Sequence, residues 1–195
     1  MKKKIAVLFT MMLSIGSATV ANAETSTGSL DVNGGNLSLN NVPANINFPA
    51  MTIDGINWKK TSADIGNVRV TDGRGTGEGW NLTVSSTQLT EVGGLGLTLP
   101  AGTLNLYAPT TVTPVGDTNA PSPTLGAGSH TVDSSPFTIA TAGANKGLGT
   151  YDLGFDNNAI EINVHPSQKI VDITNYPAAP TPYQATITWT LNNTP

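Results

Sequence analysis

Apolar and polar residues alternate with a period of two in repeated runs along the chain, and helical periodicity is almost absent. Such alternation sends successive side chains to opposite faces of an extended backbone, which suits strands buried on one face and solvated on the other. The runs predict strands at Ser29–Val32, Ala44–Phe48, Asn67–Thr71, Trp80–Ser86, Thr103–Tyr107, Thr110–Pro114, Phe137–Thr141, Gly149–Leu153, Ala159–Val164 and Tyr183–Leu191. Gly, Pro, Asn and Asp cluster between them, as turns require. No repeat, charge run or shift of composition marks a second domain. The fold class this predicts is all-β, a single β-sandwich of roughly ten or more mostly antiparallel strands.

Two runs carry the clearest alternation. Val68 and Val70 share one face of the first, and Trp80, Leu82 and Val84 share one face of the segment that follows it. The stretch between them, Asp72-Gly73-Arg74-Gly75-Thr76-Gly77-Glu78-Gly79, suits backbone at positive φ and reads as a hairpin connection. In the last run Tyr183, Ala185, Ile187, Trp189 and Leu191 fall on one face, with Thr186, Thr188 and Thr190 on the other. Gly116–Ser129, rich in Gly, Pro and Ser, reads as a surface loop or lid.

The N-terminus follows a different pattern. Lys2, Lys3 and Lys4 precede an apolar run from Ile5 to about Ile15, and Ala21-Asn22-Ala23 forms an Ala-x-Ala cleavage signal. The run is shorter than the ~20 apolar residues of a membrane-spanning helix. Residues 1–23 therefore read as a secretory signal peptide cleaved between Ala23 and Glu24, with residues 24–195 as the mature domain. The mature chain keeps 6 Lys or Arg against 13 Asp or Glu, a net charge of −7. The expected location is outside the cell.

Composition narrows the function. Only 11% of residues are charged, against about a quarter in ordinary soluble domains. The chain holds 28 Thr, 19 Asn and 21 Gly, which argues against helical bundles, and its negative charge argues against a nucleic-acid partner. With no Cys there is neither a disulfide nor a lipoprotein anchor, and Leu191–Pro195 shows no apolar tail of the sortase type. Retention at the cell surface then calls for a non-covalent contact. Catalysis is not expected. The acids sit in turn contexts such as Asp54-Gly55 and Asp156-Asn157, and His130 and His165 are the two histidines, the latter a turn residue before Pro166. No zinc, calcium or nucleophile–His pattern emerges, so no cofactor or metal is expected.

Trp80-Asn81-Leu82 and Trp189-Thr190-Leu191 form a pair of Trp-x-Leu motifs, one of them close to the C-terminus. With the glycine-rich stretch before Trp80 and the Thr-rich strand around Trp189, the chain resembles the WxL family of Gram-positive cell-surface proteins from about Leu37 to Pro195. The resemblance implies a β-rich, short stand-alone member that attaches non-covalently to the cell wall, with peptidoglycan or another wall polymer as ligand. It also implies a companion wall protein with a C-terminal membrane anchor, and connects such assemblies with adhesion and a host extracellular protein. A structural or adhesive subunit held by protein contacts, without direct wall binding, is the alternative.

The candidate ligand-binding residues are Trp80, Leu82, Arg74, Asp72, Trp189 and Leu191. Two readings stand for the tryptophans: core residues on paired strands, or half-buried rings whose open face stacks on sugar. Trp80 and Arg74 are expected at an accessible rim, and Trp189 chiefly in packing. Arg74 either meets a carboxylate or phosphate of the wall, or pairs locally with Asp72 or Glu78. Trp58, before Lys59 and Lys60, is a third candidate for such stacking and is expected to be a packing residue.

Overall fold

The structure, a computed structural model, describes residues 27–194. The signal segment and its cleavage site at Ala23 and Glu24 lie outside the described residues. The compact unit begins at Asn33. Fourteen strands and no helix are found among the described residues: β1 (Leu37–Asn40), β2 (Lys59–Ala63), β3 (Asn67–Asp72), β4 (Trp80–Ser86), β5 (Thr90–Glu91), β6 (Leu104–Tyr107), β7 (Thr111–Val115), β8 (Thr124–Leu125), β9 (Ser129–Thr131), β10 (Phe137–Ala142), β11 (Gly149–Gly154), β12 (Ile160–Val164), β13 (Tyr183–Gln184) and β14 (Ile187–Asn192).

All strand pairs are antiparallel, in three four-stranded sheets ordered β1-β3-β11-β7, β14-β4-β10-β8 and β2-β12-β6-β9, plus the pair β13-β5. The all-β class is as the alternation predicts. One core is shared by their inner faces. Val68, Val70 and Leu153 come from the first sheet, Trp80, Leu82, Val84 and Ile139 from the second, and Leu104, Leu106, Ile160, Ile162 and Val164 from the third.

No two strands consecutive in sequence pair within any of these sheets. This corrects the hairpin expected between Val68 and Val84, because β3 and β4 lie in different sheets. Gly75, Gly77 and Gly79 do adopt positive φ, at 71°, 70° and 84°. They serve to carry the chain from one sheet to the next, a span longer than a tight hairpin turn.

Other departures have equally local causes. Ser29–Val32 forms no strand, and Leu30 and Val32 are exposed, because alternation without a partner ladder does not hold a strand. Ala44–Phe48 is irregular between Pro43 and Pro49, which lack donors for a ladder, yet Ile46 and Phe48 pack on the core. Tyr183–Leu191 splits into β13 and β14, and at the break Thr186 N–H donates to Thr87 Oγ1 at 2.9 Å. Gly116–Ser129 contributes β8, the start of β9 and the Ala120 carbonyl that accepts from the buried Tyr151 hydroxyl at 2.6 Å, so it is pinned to the fold.

β14 covers β4 along its length, and Ile187, Trp189 and Leu191 pack against the core. Half-buried, these three side chains represent several kcal/mol at ~1.5–3 kcal/mol for each fully buried one. A chain ending at Pro182 should therefore lose cooperative unfolding and become broadly sensitive to limited proteolysis. A compact, protease-resistant product would show β13 and β14 to be dispensable.

Candidate functional site

The two Trp-x-Leu motifs meet in one sheet. β4 and β14 are neighbours in a register that sets Leu82 opposite Leu191, Val84 opposite Trp189 and Asn81 opposite Asn192. Because the strands run antiparallel, the two tryptophans lie on the same face at opposite ends of the Leu82–Leu191 pair.

Their environments differ from the expectation. Trp80 and Leu82 have no accessible surface, so neither stands at an open rim. The Trp80 indole N–H donates to the Gly147 carbonyl at 3.1 Å, which satisfies the one polar atom of the ring. Gly147, at φ 66°, lies flat against that ring, and a Cβ there would fall 2.7 Å from Trp80 Nε1. Trp189 is the half-buried member of the pair. Its ring meets Phe155 edge-on, with centroids 6.0 Å apart, and borders a cleft of about 540 Å³ with Val42, Phe48, Leu89 and Ile187. Leu191 is likewise half-buried beside Leu82.

Arg74 is a clasp rather than an accessible cation. Its side chain is 14% exposed and that of Asp72 is fully buried. Nε donates to Asp72 Oδ1 at 2.9 Å and Nη2 to Asp72 Oδ2 at 2.8 Å, a bidentate pair. Nη2 also donates to the Gly79 carbonyl at 2.7 Å, while Nη1 reaches Glu78 Oε2 at 3.3 Å and the Asn193 carbonyl at 3.4 Å. The Arg74 guanidinium holds the Asp72 carboxyl below the usual carboxylate range, against the opposing effect of burial. The C-terminal segment is tied in as well: Asn81 Nδ2 donates to the Thr194 carbonyl at 3.0 Å, and Asn192 Nδ2 to Asn81 Oδ1 at 2.8 Å. Asp72, Arg74, Trp80, Leu82, Trp189 and Leu191 thus form one connected structure.

Trp58 reverses its expectation. It is 65% exposed, with His165 edge-on to its ring at a centroid distance of 4.8 Å. His165 itself occupies a turn, its Nδ1 accepting from Ser167 N–H at 3.1 Å. Several carboxylates are committed to structure: Asp152 to Arg69 at 2.7 and 2.8 Å, Asp133 to the backbone N–H groups of Gly102, Thr103 and Leu104, and Asp172 to the turn at Thr174 and Asn175. The last two are long-range or loop anchors with no signature in the alternation. Among the described residues no three His, Asp or Glu side chains converge as a metal site would require.

A family model described as "WxL domain surface cell wall-binding" matches residues 18–195. No curated protein and no solved structure matches the chain.

Breaking the clasp should unfold the protein rather than spare it. Arg74→Ala leaves Asp72 buried and unpaired, and the expected loss is about 3 kcal/mol in chemical denaturation. Trp80→Phe removes the bond to Gly147 and leaves a void, for a loss of about 1–2 kcal/mol. Acid should act through the same pair. Folding lowers the Asp72 pKa, so its contribution is complete above the unfolded-chain value of ~3.9 and is lost as the pH falls through the folded-state value. Asp152, held down by Arg69, acts in the same direction. Urea midpoints should fall below about pH 4, and less steeply in Asp72→Asn.

Proposed function

Because the chain belongs to the WxL domain family of surface cell wall-binding domains, we propose that its mature form, residues 24–195, attaches non-covalently to the peptidoglycan of the wall. The observation that carries this reading is the extent of the match: it takes in every strand of the compact unit, so the whole fold is the wall-binding domain. A binding role rather than catalysis suits carboxylates that are spent on ion pairs and backbone caps. The negative charge argues for a contact made by hydrogen bonding and stacking rather than by ionic attraction to an anionic wall.

A second reading, assembly with a companion wall protein, is favoured by one feature. β14 is an edge strand, and its apolar residues Ile187, Trp189 and Leu191 are only half-buried. An added strand from a partner would complete both its ladder and its apolar face.

The recombinant mature chain should pellet with protein-free sacculi in the absence of any other protein. Raised salt should leave binding intact or strengthen it by screening repulsion. Retention only when a companion protein is added would favour the second reading, and complete release at moderate salt would indicate an ionic attachment.

A further inference from the structure

The third sheet, β2-β12-β6-β9, buries Ala63, Leu104, Leu106, Ile160, Ile162 and Val164 on its inner face. Alternation turns Lys60, Ser62, Asn105, Tyr107, Glu161 and Asn163 to the outer face. Trp58 immediately precedes β2 and His165 immediately follows β12, so the exposed indole stands at one end of this face. Tyr107, 40% exposed, stands at the other, two strands away. Beyond it opens a cleft of about 490 Å³ lined by Tyr107, Thr110, Asp156, Asn157, Asn158 and Glu161.

We propose that this outer face is a track for the glycan strand of peptidoglycan, running from Trp58 to the Tyr107 cleft; the inference rests on the wall-binding reading above. Its geometry and chemistry fit a sugar polymer. From Ala159 to His165 the chain through β12 advances six residue steps, about 20 Å at ~3.3 Å each, enough for several pyranose rings in a row. An aromatic face at each end meets the C–H faces of sugars, while the side-chain amides of Asn105, Asn158 and Asn163 match hydroxyl and acetamido groups.

The polar groups are held in place. Glu161, 6% exposed, is paired with Lys60 and accepts from the Tyr107 hydroxyl at 3.2 Å, and Ser62 Oγ donates to Asn158 Oδ1 at 2.7 Å. The first set orients Tyr107 and the last orients Asn158 before any ligand arrives. Charge selects among wall polymers. Lys60 is already neutralised by Glu161, and Asp156 places an exposed carboxylate at the cleft, so a phosphate-rich teichoic chain is disfavoured relative to an uncharged glycan backbone. Aromatic residues separated by a polar strip are also unlike the continuous apolar centre of a protein interface.

The test uses the mature chain, sacculi stripped of protein and teichoic acid, and soluble peptide-free glycan strands. Trp58→Ala should keep the wild-type melting temperature, because the ring is largely exposed, and should bind sacculi at least tenfold more weakly. Tyr107→Ala should weaken binding by a similar factor in its folded fraction. Glycan strands should shift the intrinsic tryptophan emission of the wild type and leave that of Trp58→Ala unchanged. If the wild type pellets with the stripped sacculi and Trp58→Ala pellets equally, the track is overturned and wall binding stands. Should the wild type not pellet, the wall-binding reading falls, and the soluble-glycan titration decides the track alone: no change in emission overturns it.

Discussion

The Arg74–Asp72 pair ties the first sheet to the second, between which no ladder runs. Asp72 closes β3 in the first sheet, Gly79 leads into β4 in the second, and Asn193 follows β14 at the end of the chain. One guanidinium bonds to all three. Five donors in a rigid fork suit this task, and Lys could not reproduce it. Since the Asp72 side chain is fully buried, the pair must form in full for the fold to close. Gly79 is required where the chain enters β4, because a Cβ there would fall 2.2 Å from the Ala142 carbonyl.

The topology makes closure a late event. Within the sheets every neighbouring pair is non-consecutive in sequence, and the local pairing of Leu89 with Leu99 around the Thr90–Thr98 bridge lies outside them. β4, near the middle of the chain, needs β14 at its end. Contacts this distant in sequence carry the full cost of loop closure before they contribute stability, which slows folding. The Trp-x-Leu pair takes its meaning from this arrangement. Two short motifs more than a hundred residues apart become adjacent rows on one sheet face, with Leu82 and Leu191 in register. Both motifs are elements of architecture, and the tryptophan most open to solvent, Trp58, belongs to neither.

A division of labour between sheets follows. The second sheet uses its tryptophans to seal the core, while the third presents Tyr107 and amide side chains outward and buries Leu104, Leu106, Ile160, Ile162 and Val164 on its inner face. A rigid backing of Leu104, Leu106, Ile160 and Ile162 lets the outer face keep a fixed shape, which under the proposed glycan track lowers the entropy lost on binding.

Alternation alone settled the all-β class, the full extent of β4 and the shared face of Trp80, Leu82 and Val84, because a period of two acts through the strand's own backbone. The local pairing of Arg74 with Asp72 was legible as one of two options, since the residues are close in sequence. Which strands become neighbours was not legible, and the glycines after Asp72 signalled positive φ without signalling where the chain would go. β2, with the sequence Lys-Lys-Thr-Ser-Ala, carries no strand pattern and is a strand only because β12 supplies its ladder. Trp58 lies open and Trp80 closed, against expectation, for the same reason. Periodicity tells which side of a strand a ring occupies, but only tertiary packing decides whether another layer covers it: the loop at Gly147 closes over Trp80, and among the described residues nothing closes over Trp58 beyond His165.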